Sequence, residues 1–330
     1  MRALVCPEIG DEDILRVEDV PAPECGPGDV RIGVHAAAAS FPDVLVIRGQ
    51  YQNPQDPPFI PGNECAGVVL EVGADVDAFA VGDRVMALPG VGAFAEEVVC
   101  RATGSALARL HRIPDAMPYD EAAGLVMNYG TGLHAWQRAQ LQPGERVLVL
   151  GAAGGCGSAA IQIAKAMGAW VIGAASSPEK LALAERCGAD AVVDYQTESL
   201  SERVKELTDG HGVDVLFDPV GGADFREYLR TLAWNGRYLV VGFAGGEIPK
   251  LGLNLVLLKS VSLIGVAYGA SVARDPALNG VLFDQLFDWY AEGKVGTVIG
   301  QRFPLADAAD ALRVLHDRGA LGKVVVDVLA

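Results

Sequence analysis

The feature that most constrains this chain is a glycine-rich turn between an apolar run and an alanine-rich segment. The run Val147-Leu148-Val149-Leu150 has the composition of a strand buried on both faces, and the turn from Gly151 to Gly157 leads into a helical segment. A strand, a glycine-rich turn and a helix in this order form a phosphate-binding unit, because the helix N-terminus attracts an anion. Ala152 stands where the first glycine of the usual Gly-x-Gly-x-x-Gly pattern would be. The sequence therefore predicts a dinucleotide site at this turn.

Within the turn, two glycines have separate expected roles. Gly154 lets the backbone approach a pyrophosphate, and Gly157 lets the helix pack closely against the strand. A purely structural turn would contain similar glycines, but a second apolar strand from Trp170 to Ala174 follows at the distance that a nucleotide-binding unit requires. Cys156 has two interpretations, a reactive thiol at a helix N-terminus or, more simply, a small buried filler. The predicted cofactor contacts in the turn are Ala153, Gly154, Gly155, Cys156 and Gly157.

The end of the second strand indicates which dinucleotide is bound. An NAD site usually has Asp or Glu at this position to accept a hydrogen bond from the ribose 2′-hydroxyl. This chain has Ser176 and Ser177 there, followed by Lys180, and hydroxyls with a cation suit a 2′-phosphate. The pattern predicts NADPH. The same residues are also explained without a ligand, with Ser177 as a helix N-cap and Glu179 in an exposed first turn.

Composition narrows the possible functions. The chain has 330 residues, 51% of them hydrophobic and 21% charged, which suits about two folded domains and excludes a disordered protein. The formal net charge of −16 argues against nucleic-acid and anionic-membrane partners. No apolar run is long enough to span a bilayer and the start has no apolar leader, so we expect a soluble, cytoplasmic protein. The six cysteines are scattered singly, so no metal site is predicted.

The length and spacing of the apolar runs change near Pro118. Before it, short runs separated by Gly and Pro predict antiparallel strands that curl into a barrel-like module. After it, helical segments alternate with uninterrupted apolar runs, which predicts βαβ units and a parallel sheet. A helix at 305–317 and a final strand close the chain. The predicted strands are Val30–Val34, Ala66–Gly73, Gly82–Leu88 and Phe94–Val99 in the first part, and Arg146–Leu150, Trp170–Ala174, Ala191–Asp194, Val213–Phe217, Arg237–Val241 and Ser262–Val266 in the second.

Taken together, these motifs resemble the medium-chain dehydrogenase/reductase superfamily, specifically its zinc-free quinone oxidoreductase branch, over nearly the whole chain. The resemblance implies an α/β protein with a GroES-like β-barrel catalytic domain at 1–126 and 268–330 and a Rossmann doubly wound parallel-sheet domain at 127–267. The matching stretches are Ser40-Phe41-Pro42-Asp43-Val44-Leu45, Gly49-Gln50-Tyr51, Pro61-Gly62-Asn63-Glu64-Cys65-Ala66-Gly67, Val81-Gly82-Asp83-Arg84-Val85, Tyr129-Gly130-Thr131, the turn at 152–157, Asp218-Pro219-Val220-Gly221-Gly222 and Gly322-Lys323-Val324-Val325.

The resemblance also implies roles for single residues. Lys180 and Tyr195 would bind the 2′-phosphate. Thr131 would contact the cofactor, and Tyr51 would lie beside the nicotinamide. Further expected cofactor contacts are Ser40, Val220, Gly221, Gly242 and Phe243.

Four departures from the wider superfamily accompany this likeness. Ser40 stands where zinc-dependent relatives have a ligand Cys and quinone reductases commonly have Asn, and Asn63 stands where zinc-dependent relatives have a ligand His. The four-cysteine lobe that holds structural zinc in such relatives is missing from the sequence, and Cys156 replaces the more usual Val of the turn.

The absence of metal ligands from the sequence has a chemical consequence. Without a Lewis acid to stabilise an alkoxide, the hydride acceptor must already be electron-poor, such as a quinone. The predicted activity is hydride transfer from NADPH to such an acceptor; the alternatives are reduction of activated alkenes (enones or enoyl thioesters) and a noncatalytic NADPH-binding role. The candidate proton donors or oxyanion partners are Tyr51, Asp43 and Tyr129, although Tyr51 is equally explained by ring packing, Asp43 by helix capping, and the proton by solvent.

The last apolar run of the second domain bears on assembly. The segment 260–267 would be an edge strand, and an apolar edge invites pairing with a second copy across a two-fold axis. The resemblance suggests the same homodimer. The alternative is that residues 268–273 of the same chain cover the edge.

Overall fold

The computed structural model describes residues 1–104 and 109–329, which form two compact units. The first comprises 1–127, 270–283 and 297–330, and the second comprises 128–269 and 284–296. The predicted division assigned all of 268–330 to the first domain, whereas the structure groups 284–296 with the second. The end of this segment is bonded there, because the Gly296 N–H donates to Oε1 of Gln162 at 2.8 Å and its carbonyl accepts from the Tyr129 hydroxyl.

The secondary structure follows the predicted change from strands to alternating strands and helices. The strands are β1 (Arg2–Val5), β2 (Arg16–Asp19), β3 (Asp29–Ala39), β4 (Glu64–Val72), β5 (Arg84–Ala87), β6 (Glu97–Arg101), β7 (Leu110–Arg112), β8 (Arg146–Leu150), β9 (Trp170–Ala175), β10 (Ala191–Asp194), β11 (Val213–Asp218), β12 (Leu232–Val240), β13 (Ser262–Gly265), β14 (Ile299–Pro304) and β15 (Lys323–Asp327). The helices are α1 (Phe41–Ile47), α2 (Tyr119–Ala123), α3 (Leu125–Ala139), α4 (Gly155–Ala166), α5 (Pro178–Arg186), α6 (Leu200–Leu207), α7 (Phe225–Thr231), α8 (Leu253–Lys259), α9 (Tyr268–Arg274), α10 (Pro276–Ala291) and α11 (Ala308–His316).

The first unit is built on a mostly antiparallel sheet centred on β3. Its strand order is β14-β15-β3-β4-β5-β7, with β6 also paired to β3. Among the strand pairs that the structure describes in this sheet, only β14 and β15 run parallel. β3 is longer than the predicted strand because the alanines at 36–39 continue it, paired with β4 on one side and β15 on the other. These alanines are buried, so small side chains stand where the sheet packs closely.

The second unit is a six-stranded parallel sheet in the order β10-β9-β8-β11-β12-β13. Counted within the unit, this is the order 3-2-1-4-5-6 of a doubly wound dinucleotide-binding sheet, in which ligands bind at the carboxyl ends of the strands where the order reverses. The reversal here lies between β8 and β11. β8 is the strand that precedes the glycine-rich turn, so the predicted phosphate loop lies at the expected position.

The carboxyl-terminal segment differs slightly from its prediction. The helix expected over 305–317 is a 3₁₀ turn at Leu305–Asp307 followed by α11. Among the described residues, no helix is both long enough and apolar enough to cross a membrane.

Candidate active site

The glycine-rich turn has the backbone geometry of a phosphate loop. Gly151 has a φ of +59°, Gly154 is the N-cap of α4, and the Ala152 N–H donates to the Ala174 carbonyl of β9 at 3.1 Å. A Cβ placed on Gly157 would lie 2.1 Å from the Gly151 carbonyl oxygen, so no other residue fits there. A Cβ on Gly154 would approach that oxygen only to 3.5 Å, which leaves space above the helix N-terminus. The turn therefore fits a pyrophosphate, as the sequence predicts.

The residues predicted to recognise a 2′-phosphate lie at neighbouring strand ends. Ser176 and Ser177 follow β9, and the Ser177 hydroxyl accepts from the Lys180 N–H at 3.3 Å in the first turn of α5. Tyr195 follows β10, its N–H donates to the Ala175 carbonyl at 3.3 Å, and its side chain is exposed. The structure thus confirms the capping interpretation of Ser177 and also brings the four predicted residues to one edge of the sheet.

Two further loops of the second unit meet the phosphate loop. The Val220 Cγ2 would lie 3.2 Å from a Cβ on Gly151, and a Cβ on Gly221 would lie 2.8 Å from the Phe243 ring. The carboxylate of Asp218 accepts from the N–H groups of Val220 at 2.7 Å and Gly221 at 2.8 Å. Those two N–H groups therefore already have an acceptor within the protein. A cofactor would contact the Val220 side chain or other atoms of the turn at 219–222.

The remaining predicted contacts of the second unit lie on helices. Thr131 is on α3, which packs on α4 where a Cβ on Gly132 would lie 2.9 Å from Ile163 Cδ1. Trp136 of α3 donates from its indole N–H to the Ala160 carbonyl at 3.0 Å. Cys156 is half-buried in the first turn of α4.

The hydroxyl of Tyr129, a predicted proton donor, is bonded inside the second unit. It is buried, and its hydroxyl lies 3.0 Å from Oε1 of Gln162 and in contact with the Gly296 carbonyl. Gln162 Oε1 also accepts from the Gly296 N–H. The Tyr129 hydroxyl therefore links α3 by hydrogen bonding to the segment 284–296. The catalytic role of Tyr129 stays a prediction, and its hydroxyl has a structural contact within the second unit.

In the first unit, a buried polar cluster surrounds Ser40. The Ser40 hydroxyl donates to Oε1 of Glu64 at 2.8 Å and accepts from the Lys323 ammonium at 2.6 Å, and Lys323 also contacts the same Glu64 oxygen. The second Glu64 oxygen accepts from the Met127 N–H at 2.9 Å. Glu64 is 0% and Lys323 3% exposed, so this ion pair is removed from water. The predicted contact of Ser40 with a cofactor stays a prediction, and its hydroxyl has two partners inside the unit.

Asp43 lies beside this cluster at the start of α1. One of its carboxylate oxygens accepts from the Ser40 N–H at 2.8 Å, which is the capping role that the sequence left open. Burial raises the pKa of Asp43 to about 7, against the lowering effect of hydrogen bonds and of the Lys323 charge. Asp43 is therefore a carboxyl group that exchanges its proton near neutral pH.

Tyr51 lies in a short loop that is fixed at its base. The Gln50 N–H donates to the Leu45 carbonyl at 2.8 Å, Gly49 has a φ of +65°, and Arg48 bonds to the buried Glu12 at 2.7 Å. Burial, and next the negative charge of Asp43, raise the pKa of the half-buried Tyr51 hydroxyl. Tyr51 therefore stays protonated at neutral pH, as a proton donor must be.

The residues at the zinc positions of metal-dependent relatives do not suit zinc. Ser40 and Asn63 supply a hydroxyl and an amide there, and the Ser40 hydroxyl is already bonded to the paired charges of Glu64 and Lys323. Within 1–104 and 109–329, no group of three His, Cys, Asp or Glu side chains could hold a metal ion.

Four residues of these clusters were not identified as functional candidates from the sequence: Glu64, Lys323, Asp218 and Tyr238. A signal for the first two was present, because each is a charge at the start of a strand and is followed directly by apolar residues. Such a charge is buried only when it is paired, but the partner cannot be found from local pattern. Asp218 and Tyr238 are likewise separated in sequence and meet only in the folded sheet.

Comparison with known proteins agrees with this fold. The alcohol dehydrogenase GroES-like domain matches residues 26–115, and the zinc-binding dehydrogenase domain matches residues 155–280. Quinone oxidoreductase-like protein 2 homolog of Nematostella vectensis is 40% identical over 331 residues, covering 99% of this chain and 88% of that relative. Quinone oxidoreductase of Pseudomonas aeruginosa is 35% identical over 96% of both chains. The crystal structure of Escherichia coli quinone oxidoreductase complexed with NADPH has a TM-score of 0.91 at 26% identity, covering 99% of this chain and 100% of that one.

These findings define an α/β oxidoreductase with a GroES-like domain and a parallel-sheet Rossmann domain, of a class that binds NAD(P). The chain belongs to the medium-chain dehydrogenase/reductase superfamily, in its zinc-free quinone oxidoreductase branch. The fold class and the resemblance predicted from the sequence are confirmed.

Proposed function

We propose that this protein transfers hydride from NADPH to a quinone or a similar electron-poor acceptor, without a metal. The observation that carries the proposal is the edge of the parallel sheet, where a phosphate loop stands next to two serines and a lysine instead of the carboxylate that would accept from a free ribose 2′-hydroxyl. The relatives named as quinone oxidoreductases, one of them solved with NADPH, support the same activity.

Each group of residues has a task in this proposal. Bound NADPH supplies the hydride from C4 of its nicotinamide ring. The turn at 151–157 binds the pyrophosphate through backbone N–H groups and the N-terminus of α4. Ser176, Ser177, Lys180 and Tyr195 bind the 2′-phosphate. Tyr51 donates a proton or a hydrogen bond to the acceptor oxygen, since its raised pKa keeps the hydroxyl protonated. An electron-poor acceptor needs no more than this, because the anion formed on it is delocalised.

The activity is tested by steady-state assays with NADPH and a panel of acceptors: benzoquinone, phenanthrenequinone, an enone and an enoyl thioester. We expect the quinones to give the highest kcat/KM. In Tyr51→Phe we expect kcat to fall by about a hundredfold, the usual contribution of a general acid, with the KM for NADPH unchanged. Faster turnover of the enone or thioester would instead assign the protein to activated alkenes. Tight NADPH binding without turnover of any acceptor would indicate a noncatalytic role.

The choice of cofactor is tested with Lys180→Ala. We expect the KM for NADPH to rise by an amount equivalent to about 1–3 kcal/mol, the value of a charge-assisted contact, with little change for NADH. Lys205→Ala, an exposed lysine on the neighbouring helix α6, serves as the control and should leave both constants unchanged. Equal values of KM for the two nucleotides in the unmodified protein would contradict the proposal.

We also propose that the protein forms a homodimer through β13. Among the residues that the structure describes, this strand pairs only with β12 and is the edge of its sheet. Next to it in sequence, α8 exposes Leu253 at 77%, Leu257 at 79% and Leu258 at 68%. Apolar side chains exposed at this level beside an unpaired edge favour a second copy of the chain as their partner.

The dimer is tested by measuring the molar mass in solution by light scattering. The expected value at micromolar concentration is twice the chain mass, and Leu257→Glu should shift it toward the monomer. Val81→Glu, which changes a strongly exposed apolar side chain of the first unit, should leave the dimer intact. A monomer in the unmodified protein would overturn this part of the proposal.

A further inference from the structure

The buried carboxylate of Asp218 lies at the junction of three loops of the second unit. It is 2% exposed, and one of its oxygens accepts from the N–H groups of Val220 and Gly221. Its backbone carbonyl accepts from Val241 at 2.9 Å and Gly242 at 3.3 Å. The same residue therefore sets the path of the chain after β11 and after β12.

The two loops are in turn packed on each other and on the phosphate loop. The Gly245 N–H donates to the Val220 carbonyl at 2.7 Å, and the Gly222 N–H donates to the Glu247 carbonyl at 3.0 Å. The Val220 side chain lies over Gly151 of the phosphate loop. A change in the turn at 219–222 is therefore transmitted to both neighbouring loops.

The second oxygen of Asp218 is held by one side chain, Tyr238. This tyrosine is 1% exposed, its hydroxyl donates to Asp218, and its ring packs against Phe225 with centroids 5.0 Å apart. No ion pair of Asp218 is present within the described residues, so three hydrogen-bond donors stabilise the carboxylate in place of a cation. Tyr238 supplies the only side-chain donor of the three and does not itself belong to any of the loops.

We propose that Asp218 and Tyr238 are positioning residues that hold these three loops in the shape needed by a dinucleotide before it binds. This inference rests on the proposed NADPH-dependent function. A preformed site loses less conformational freedom on binding, so the Tyr238 hydroxyl increases affinity without touching the ligand. Because these loops are separate from the serines and lysine after β9, the contribution is common to NADPH and NADH.

The experiment measures the Kd of each nucleotide by quenching of protein fluorescence. In Tyr238→Phe, which keeps the ring, we expect the Kd for NADPH and for NADH to rise by the same factor, about five- to fiftyfold, as for loss of a hydrogen bond to a charged group. The kcat at saturating nucleotide should be unchanged. Thr208→Val removes a buried hydroxyl of the same unit whose partners, the Val204 carbonyl and the Gly212 N–H, lie before β11, and it should leave both Kd values unchanged.

A double-mutant cycle separates positioning from general stability. Asp218→Asn should also raise both Kd values, and the double variant should bind no more weakly than the weaker single variant, because both changes break the same bond. A lowered Tm with unchanged Kd values in Tyr238→Phe would show a merely structural role and overturn the inference. Failure of the unmodified protein to bind either nucleotide would instead overturn the proposed function.

Discussion

Lys323→Met is expected to lower the free energy of unfolding by about 3–5 kcal/mol, because it leaves a buried carboxylate without its counter-ion. Glu64 is 0% exposed, and its first oxygen is bonded to both the Lys323 ammonium and the Ser40 hydroxyl. After the substitution, the carboxylate must either stay charged in a dry environment or take up a proton and lose its acceptor geometry. Urea denaturation followed by circular dichroism measures the loss.

A second substitution shows whether the uncompensated charge is the cause. Lys323→Met combined with Glu64→Gln removes both charges, and we expect it to recover a large part of the lost stability, since a neutral pair can replace a buried ion pair at little cost. Lys294→Met breaks an exposed ion pair with Glu292 and should change the stability by less than about 0.5 kcal/mol. Equal losses in Lys323→Met and in the double variant would show that lost packing, and not charge, dominates.

Gly157→Ala is expected to destabilise the second unit by about 3 kcal/mol or more, because the new Cβ has no free space. It would lie 2.1 Å from the Gly151 carbonyl oxygen and 2.9 Å from the Ala152 Cα, both backbone atoms that a side-chain rotation cannot move. α4 must shift away from the turn, so nucleotide affinity falls together with stability. Thermal unfolding and nucleotide titration on the same preparation measure both effects.

Gly154→Ala is the matched comparison in the same turn. Its φ of −79° is allowed for alanine, and the new Cβ would approach the Gly151 oxygen only to 3.5 Å. We expect a stability loss of about 0.5–1 kcal/mol from the poorer N-cap, but a loss of NADPH affinity of about ten- to a hundredfold, because the methyl group occupies the space above the turn. Unchanged affinity in Gly154→Ala would contradict the assignment of this space to the pyrophosphate.

Much of the second unit was predictable because its signals are local. β8 has the predicted bounds, and the turn and α4 follow it as the pattern required. A buried parallel strand needs a continuous apolar run and a phosphate turn needs glycine, so short stretches of sequence specify both. In the first unit the predicted strand at 30–34 was too short, since the alanines that extend β3 to Ala39 owe their conformation to pairing on both sides.

The candidate site also contains some residues that local sequence specifies and some that it does not. The residues of the phosphate loop, and Ser176, Ser177 and Lys180 after β9, were predicted from neighbouring positions in the chain. The contact of the Tyr129 hydroxyl with the Gly296 carbonyl was not predictable, because Gly296 is 167 residues away. Nothing in the local pattern around a tyrosine tells whether its hydroxyl faces a ligand or a distant carbonyl.

The sequence alone therefore determined the class of fold, the position of the nucleotide turn and the expected cofactor, because each depends on residues that are adjacent in the chain. The tertiary structure decided which polar groups are paired in the interior. Lys323 meets Glu64 across 259 residues, and Tyr238 meets Asp218 across 20 and from a neighbouring strand. Such pairs form because a buried charge or hydroxyl must find a partner, and only the complete packing of the chain determines which partner is within reach.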